Sequence, residues 1–206
     1  MQVQLDLYNS GKHPGNDADT IQTIKMVTEQ NERLSKMVKT LLDMSELQTV
    51  VRDETIIVNA LVDEVLADLE PLAQEKNIKL IGKCKDVNMV GSDILIYRLV
   101  YNLVENAIKY NHSGGQVSVE AYQREKQVYL SVKDTGNGIP EELKERVFEP
   151  FFRVDKSRSR ELGGVGHGLA LVNEIVRVHD GSIAIRPNPS GGTIIEVEFA
   201  VNRTTA

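Results

Sequence analysis

The run from Leu99 to Asn111 constrains the fold of this chain more than any other segment. Its apolar residues recur at three- and four-residue steps, which is the period of an amphipathic helix with a wide buried face. On such a helix four polar residues project along one edge, because residues three and four apart are neighbours. They are Asn102, Asn106, Lys109 and Tyr110. An Asn oxygen suits Mg²⁺, and a Lys ammonium suits a phosphate, although the same side chains could simply face water.

A second periodic run predicts one long helix over about residues 20–48. Its apolar positions alternate between three- and four-residue spacing, as in coiled coils and helical bundles. These positions are Ile24, Val27, Leu34, Val38 and Leu41, with Asn31 in the same seam. A single helix cannot bury such a seam, so we expect a homodimer through this helix, or an antiparallel hairpin whose first arm is mostly missing. Packing of the seam on the following domain is the alternative.

The rest of the chain predicts strands and helices in alternation. Val3 to Leu7 alternate like a short strand, and the polar connection at residues 49–55 predicts a boundary between a domain of residues 1–52 and one of residues 53–206. Asn59 can cap the helix that follows. The predicted strands are 55–58, 78–82, 88–90, 117–122, 128–133, 183–186 and 193–200, and the predicted helices are 60–76, 93–111, 141–147 and 169–179.

Composition and charge narrow the classes of function. The chain has 206 residues, a net charge of −6 and no basic tract, which argues against nucleic acid as the main partner. The single cysteine, Cys84, rules out an internal disulfide framework. No run approaches the roughly 20 apolar residues that span a bilayer, so we expect any membrane anchor to lie outside this chain.

Two glycine clusters predict a site for an anionic ligand. Gly164, Gly166 and Gly168 precede a predicted helix, where free N–H groups and the helix dipole favour phosphate. The Gly-Lys-Ser/Thr sequence of a P-loop is absent from this cluster. Asp134 ends a strand before Gly136 and Gly138, and its carboxylate either accepts from an exocyclic amino group or caps a turn.

A charged loop follows three phenylalanines. Phe148, Phe151 and Phe152 are interpreted as hydrophobic pins that seat a flexible lid, or as plain core aromatics. The lid would span about residues 154–162. The lid and the residue directly before it carry cations that can contact phosphates when the lid closes. They are Arg153, Lys156, Arg158 and Arg160.

These tracts, in this order and spacing, resemble the catalytic and ATP-binding domain of two-component sensor histidine kinases. The asparagine helix resembles the N box, and the later segments resemble the G1 box (134–138), the F box (148–152), the G2 box (164–168) and a further glycine motif (191–193). The resemblance implies an α+β fold, a two-layer α/β sandwich in which a mixed sheet carries helices on one face. The heptad helix resembles the second helix of the dimerisation and phosphoacceptor hairpin.

The resemblance also implies ATP and Mg²⁺ as cofactors. Asn106 would hold the metal with Asn102 beside it, and Lys109 and Tyr110 would contact the phosphate and base ends of the nucleotide. Asp134 would bind the adenine amino group. The remaining implied nucleotide contacts are Gly136, Gly138, Ile139, Gly164, Val165, Gly166, His167, Gly168, Leu169 and Thr193.

The implied activity is transfer of the γ-phosphoryl group to a His and then to a response-regulator Asp, in the cytoplasmic part of a membrane sensor. Asn102 stands where hydrolytic relatives carry a Glu that activates water, and an Asn cannot act as a general base. The site then favours transfer, with charge stabilisation by Mg²⁺ and Lys109. Glu105 is a candidate base toward the incoming nucleophile.

Two departures from the family pattern qualify this interpretation. None of the four histidines, His13, His112, His167 and His179, has the phosphoacceptor context, so we expect this chain to begin just after the acceptor and not to autophosphorylate. On that interpretation residues 3–7 would be helical. His167 stands where the family usually has Leu, which favours a degenerate nucleotide-binding dimerisation scaffold as one alternative. A hydrolytic ATPase of the same superfamily is another.

Overall fold

The computed structural model describes residues 17–47, 49–152 and 168–201. The alternating segment at residues 3–7 therefore lies outside the described residues. The chain divides into two compact units between Lys39 and Thr40. The domain boundary between residues 52 and 53 stays a prediction.

Helix α1 spans Asp17–Glu46 and confirms the predicted long helix within three residues at each end. Apolar side chains along it are exposed in the described chain. They are Ile21, Ile24, Val27, Leu34, Val38 and Leu42. Asn31, at the predicted polar seam position, is exposed as well.

The second unit is built on a mixed five-stranded sheet. Its strands are β2 (Lys79–Cys84), β4 (Gln116–Arg124), β5 (Gln127–Asp134), β6 (Ser182–Pro187) and β7 (Thr193–Ala200), in the order β2-β4-β5-β7-β6. Strands β2 and β4 are parallel, and the other pairs are antiparallel. A separate antiparallel pair joins β1 (Glu54–Ile57) to β3 (Asn88–Gly91). The predicted hairpin is β4–β5.

Alternating apolar residues give this sheet one buried face. Val119 pairs with Val132, and Val132 pairs with Ile195, so that buried side chains from three strands stand side by side. Helices α2 (Val58–Glu75), α3 (Asp93–Lys109) and α4 (Gly168–Val178) supply the other layer. The result is the two-layer α/β arrangement that the sequence predicts.

Helix α3 lies at the centre of this core. Eight of its residues are buried, at the three- and four-residue spacing seen in the sequence. They are Leu95, Ile96, Leu99, Val100, Leu103, Val104, Ala107 and Ile108. Because that stripe must face the core, the rotation of the helix is set, and Asn102 and Asn106 remain only partly buried at its edge.

Two local predictions are wrong. Helix α2 begins at Val58 with Ile57 as its N-cap, so Asn59 lies inside the helix and does not cap it. The Asn59 amide instead donates to Asp86 Oδ1 at 3.4 Å. The predicted helix over residues 141–147 is two single 3₁₀ turns, Glu141–Leu143 and Arg146–Phe148.

Two isoleucines on α3 test the central role of its buried stripe. Ile96 is 1% exposed and Ile94 is 61% exposed, on the same helix. We expect Ile96→Ala to lower the free energy of unfolding by about 2–5 kcal/mol, because it removes buried carbon and leaves a cavity. Ile94→Ala should change it by less than about 0.5 kcal/mol. Urea denaturation followed by circular dichroism measures both, and equal losses would contradict the assignment of the buried face.

Candidate functional site

The asparagine pair on α3 lies directly against the start of α4. A Cβ atom placed on Gly168 would lie 2.9 Å from Asn106 Nδ2 and 3.0 Å from Asn102 Oδ1, so no larger residue fits there without movement. The amide of Asn102 donates to the carbonyl of Arg98 at 2.6 Å, which holds the orientation of that side chain. The first turn of α4 therefore adjoins two amide side chains.

Asp134, at the end of β5, is held by two backbone donors. The N–H of Gly136 donates to Oδ1 at 2.8 Å, and the N–H of Thr193 donates to the same oxygen at 3.2 Å. Burial raises the pKa of this carboxyl, while the two hydrogen bonds lower it. Within the described residues no protein group bonds to the second oxygen, Oδ2. The carboxylate therefore keeps one acceptor atom for a ligand.

The loop between β6 and β7 closes over the same strand end. The side-chain amide of Asn188 donates to the carbonyl of Asp134 at 2.7 Å. Gly192 has a φ of +85°, and a Cβ atom there would collide with both Asp134 Oδ1 and Asp134 O. A glycine at this point is therefore required for the loop to reach Asp134, and with it the Thr193 donor.

The turn after Asp134 also contacts the end of α3. A Cβ atom on Gly136 would lie 2.6 Å from the carbonyl oxygen of Tyr110, and the N–H of Asn137 donates to that oxygen at 3.4 Å. Gly138 has a φ of +73°, which favours glycine. Tyr110, the C-cap of α3, is 43% exposed beside this turn. The Asp134 turn thus adjoins the helix that carries the asparagine pair, one turn beyond Asn106.

Lys109 and Glu105 form an ion pair on the last turn of α3. Lys109 Nζ lies 2.8 Å from Glu105 Oε1, and both side chains are partly exposed. Lys76, at the end of α2, donates to the carbonyl of Lys109 at 3.3 Å. Burial lowers the pKa of Lys76, and the neighbouring charge of Lys109 lowers it further. Two cations, one from α2 and one from α3, therefore lie with one carboxylate at this end of α3.

The structure brings most of the predicted site residues that it describes into two adjoining groups. Asn102, Asn106 and Gly168 form one group. The second group consists of Tyr110, Asp134, Gly136 and Thr193, with Gly138 against Gly192 at its edge. Ile139 and Leu169 are half-buried. Gly164, Val165, Gly166 and His167 lie outside the described residues, as do the predicted lid cations.

Sequence reasoning missed Asn188 and the use of the Thr193 N–H as a donor to Asp134. The Pro-Asn-Pro sequence marks a turn, but it does not tell which strand end the Asn amide reaches. Phe152, a predicted lid pin, is half-buried with the Arg146 guanidinium 4.4 Å from its ring centre. The assignment of roles to individual site residues stays a prediction.

Residues 91–203, more than half of the chain, match the family described as histidine kinase-, DNA gyrase B-, and HSP90-like ATPase, and the chain belongs to that family. Its curated relatives are sensor kinases. It is 36% identical over 183 residues to the sensor-like histidine kinase SenX3 of Mycolicibacterium smegmatis, covering 86% of this chain and 47% of that one. It is 34% identical to the sensor histidine kinase WalK of Bacillus subtilis, and this match covers 82% of this chain and 29% of that one. The chain thus spans less than half the length of these relatives.

Solved structures agree with this assignment. The catalytic domain of histidine kinase ThkA superposes with a TM-score of 0.66 at 26% identity, covering 74% of this chain and 97% of that domain. ThkA in complex with the response regulator TrrA superposes with a TM-score of 0.70 at 25% identity, covering 95% of this chain and 55% of that one. The chain therefore contains the ATP-binding catalytic domain of sensor histidine kinases, and the resemblance seen in the sequence is confirmed.

The described residues contain neither a membrane-spanning helix nor a cluster of metal-binding side chains. No helix in residues 17–47, 49–152 or 168–201 is long and apolar enough to cross a membrane. The same ranges hold no cluster of three or more His, Cys, Asp or Glu residues that could bind a metal.

Gly168→Ala tests the contact between α4 and the asparagine pair. The added methyl group must displace Asn102 or Asn106, so we expect adenine-nucleotide affinity to fall about tenfold or more. Isothermal titration calorimetry with an ATP analogue measures the affinity. Gly82→Ala is the control. Gly82 lies on β2, away from this site, and its added Cβ would meet the flexible end of the Leu66 side chain. Unchanged affinity in Gly168→Ala would contradict the proposed position of the phosphates.

Proposed function

We propose that this chain binds Mg·ATP and, within the full-length protein, acts as a histidine kinase that passes the γ-phosphoryl group to a His and then to a response-regulator Asp. The contact of Gly168 with Asn102 and Asn106 carries the proposal, because it joins an anion-binding helix start to the amide side chains of α3. Both features belong to one compact unit. The scaffold alternative rests on His167 alone, which is outside the described residues.

Base recognition is assigned to Asp134. Its Oδ1 is occupied by two backbone N–H groups, which leaves Oδ2 as the acceptor. An ionised carboxylate oxygen accepts from the exocyclic amino group of adenine, whereas guanine presents a carbonyl oxygen at that ring position. The site therefore selects adenine by a donor–acceptor match, and Tyr110 lies at the same end of α3.

Metal and phosphate binding are assigned to the asparagine edge. The side-chain oxygen of Asn106 fits Mg²⁺, which is commonly held by few protein oxygens together with waters and substrate phosphates. When bound, this ion would neutralise phosphate charge. The N–H groups at the start of α4 and the ammonium of Lys109 supply further positive potential, and Lys109 is held nearby by Glu105.

Asn102 bears on the choice between transfer and hydrolysis. Its side-chain nitrogen donates to the Arg98 carbonyl, and an amide has no basic site that could take a proton from water. This residue favours retention of the γ-phosphoryl group for an incoming side chain. Glu105, the carboxylate on the same face, is proposed as the base toward that nucleophile.

The partners and location of the full-length protein are also proposals. The complex of ThkA with TrrA supports a response regulator as partner, since the present chain superposes on 55% of that kinase chain. The exposed apolar positions of α1 support a homodimer through that helix. We further propose a cytoplasmic location for this segment, a membrane anchor elsewhere in the protein, and no autophosphorylation by this chain alone.

Asp134→Asn tests the site and the choice of base together. In the variant, the Gly136 and Thr193 N–H groups still require an acceptor, so Oδ1 of the amide must face them and the NH₂ group replaces Oδ2. A donor then faces the adenine amino donor, and we expect affinity to fall about 10- to 100-fold. A titration of the parent and the variant with fluorescent ATP and GTP analogues, with and without Mg²⁺, measures this.

The titration has two decisive negative outcomes. If the parent protein at high micromolar concentration does not bind the ATP analogue, the scaffold alternative replaces the kinase proposal. If Asp134→Asn loses ATP and GTP analogues to the same extent, the adenine assignment of Asp134 is wrong.

Leu34→Glu tests dimerisation through α1. Leu34 is exposed and lies at a seam position, so a charge there would be trapped between two helices in a dimer. We expect dimer affinity to fall at least about tenfold, measured by sedimentation equilibrium. Gln22→Glu adds the same charge at an exposed position outside the seam and should leave the dimer intact. A parent protein that stays monomeric at high concentration would contradict the homodimer.

A further inference from the structure

His179 is a buried titratable residue that the proposed nucleotide chemistry does not use. It directly follows α4, where the helix ends in a Schellman motif. The N–H of Gly181 bonds to the carbonyl of Val176 at 2.9 Å, and Asp180 takes a φ of +55°. Gly181 is required here, because a Cβ atom on it would lie 2.6 Å from the carbonyl of Glu198. The backbone of His179 is therefore held in place by this motif.

Both ring nitrogens of His179 are engaged. Nδ1 lies 2.9 Å from the carbonyl oxygen of Ile175, and Nε2 lies 3.1 Å from the backbone nitrogen of Ser92. The Ile175 carbonyl can only accept, and the Ser92 N–H can only donate. The neutral ring with its proton on Nδ1 is the one form that makes both hydrogen bonds.

The ring lies in a closely fitted space. His179 is 3% exposed, and the ring of Phe199 meets it edge to face at a centroid distance of 5.9 Å. A Cβ atom on Gly91 would lie 3.0 Å from His179 Nε2 and 3.2 Å from Ile56 Cδ1. Tight packing of this kind leaves the imidazole little freedom to rotate away from Ser92.

His179 links the start of α3 to the end of α4, which are the ends of these two helices that lie away from the asparagine pair. Ser92 is the N-cap of α3, and its own side chain makes no capping hydrogen bond. Gly168, at the start of α4, touches Asn102 and Asn106 in the second half of α3, whereas His179, at the other end of α4, bonds to the start of α3. The helices are therefore antiparallel, and the two contacts are about 15–21 Å apart along α3.

A second residue accepts a hydrogen bond from a backbone N–H group at the start of α3. Glu54 Oε2, on β1, accepts from the N–H of Asp93 at 2.9 Å. The first N–H groups of α3 are thus satisfied from two different elements, α4 through His179 and β1 through Glu54. Glu54 is exposed, while the His179 bond is buried, so the loss of the latter leaves a donor without water.

We propose that His179 is a positioning residue for nucleotide binding: its neutral imidazole ties the start of α3 to the end of α4 and so keeps Asn102 and Asn106 in place against Gly168. This inference rests on the proposed function, because it takes the asparagine pair as part of the nucleotide site. His179 acts through Ser92, about 15 Å from Asn102 and about 21 Å from Asn106 along α3, and not by contact with the nucleotide.

Two conservative variants separate this role from simple packing. In His179→Asn, the side-chain amide can still donate to the Ile175 carbonyl, but no atom reaches Ser92. In His179→Gln, the longer side chain places Oε1 where it can accept the Ser92 N–H. We expect His179→Asn to weaken ATP-analogue binding about tenfold, and His179→Gln to restore most of it.

Nuclear magnetic resonance gives a readout that needs no nucleotide. In the parent, ¹⁵N shifts should show a protonated Nδ1 and an unprotonated Nε2 for His179. In His179→Asn, the amide of Ser92 should exchange with solvent at least tenfold faster, and the side-chain amide signals of Asn102 and Asn106 should shift. His179→Gln should return all three signals toward the parent values.

Three results would contradict these proposals, and each result identifies which proposal is wrong. Unshifted asparagine signals in His179→Asn would overturn the proposal, even if the Ser92 amide exchanges faster. Equal effects of Asn and Gln would also overturn it, since the Ser92 bond would then not be the cause. A parent that binds no nucleotide would instead refute the proposed function, while the asparagine signals would still decide the positioning role.

Discussion

Burial of one apolar stripe on α3 sets the positions of both the core and the polar site. Eight side chains of this helix must leave water together, and they can do so only with the helix in one rotation against the sheet and its neighbouring helices. In that rotation Asn102 and Asn106 lie at the edge toward α4, and Lys109 lies beside Glu105. The polar site is thus positioned by hydrophobic burial of the adjoining face of the same helix.

Backbone N–H donors hold Asp134 in the second group of site residues. One oxygen of Asp134 accepts from two N–H groups, that of Gly136 two residues later and that of Thr193 59 residues later, and the other oxygen is left for a ligand. Gly192 permits this approach because any side chain would collide with Asp134. Burial raises the pKa of the carboxyl, and the two donors oppose that rise.

Much of the fold follows from local patterns. The period of α3, the alternation in β4 and β5 and the heptads of α1 each predict an element within a few residues of its bounds. Asn59 and residues 141–147 are exceptions. An Asn before an apolar run suggests a cap, but pairing of β1 with β3 draws the chain into α2 two residues earlier, where Ile57 precedes the helix. Residues 141–147 follow Pro140 and form only two separate 3₁₀ turns.

The amino-acid sequence alone predicted most helices and strands, because their periods are local properties. The order and spacing of its motifs were enough to identify the resemblance to sensor histidine kinases, and that resemblance implied the chemical types of the site residues. The tertiary structure decided which atoms meet. It placed Gly168 against both asparagines, directed Thr193 and Asn188 to Asp134, and brought His179 to Ser92 across 87 residues. Such contacts join segments that are distant in sequence, and they depend on how the sheet and three helices close around one core. No period within a single segment encodes that closure.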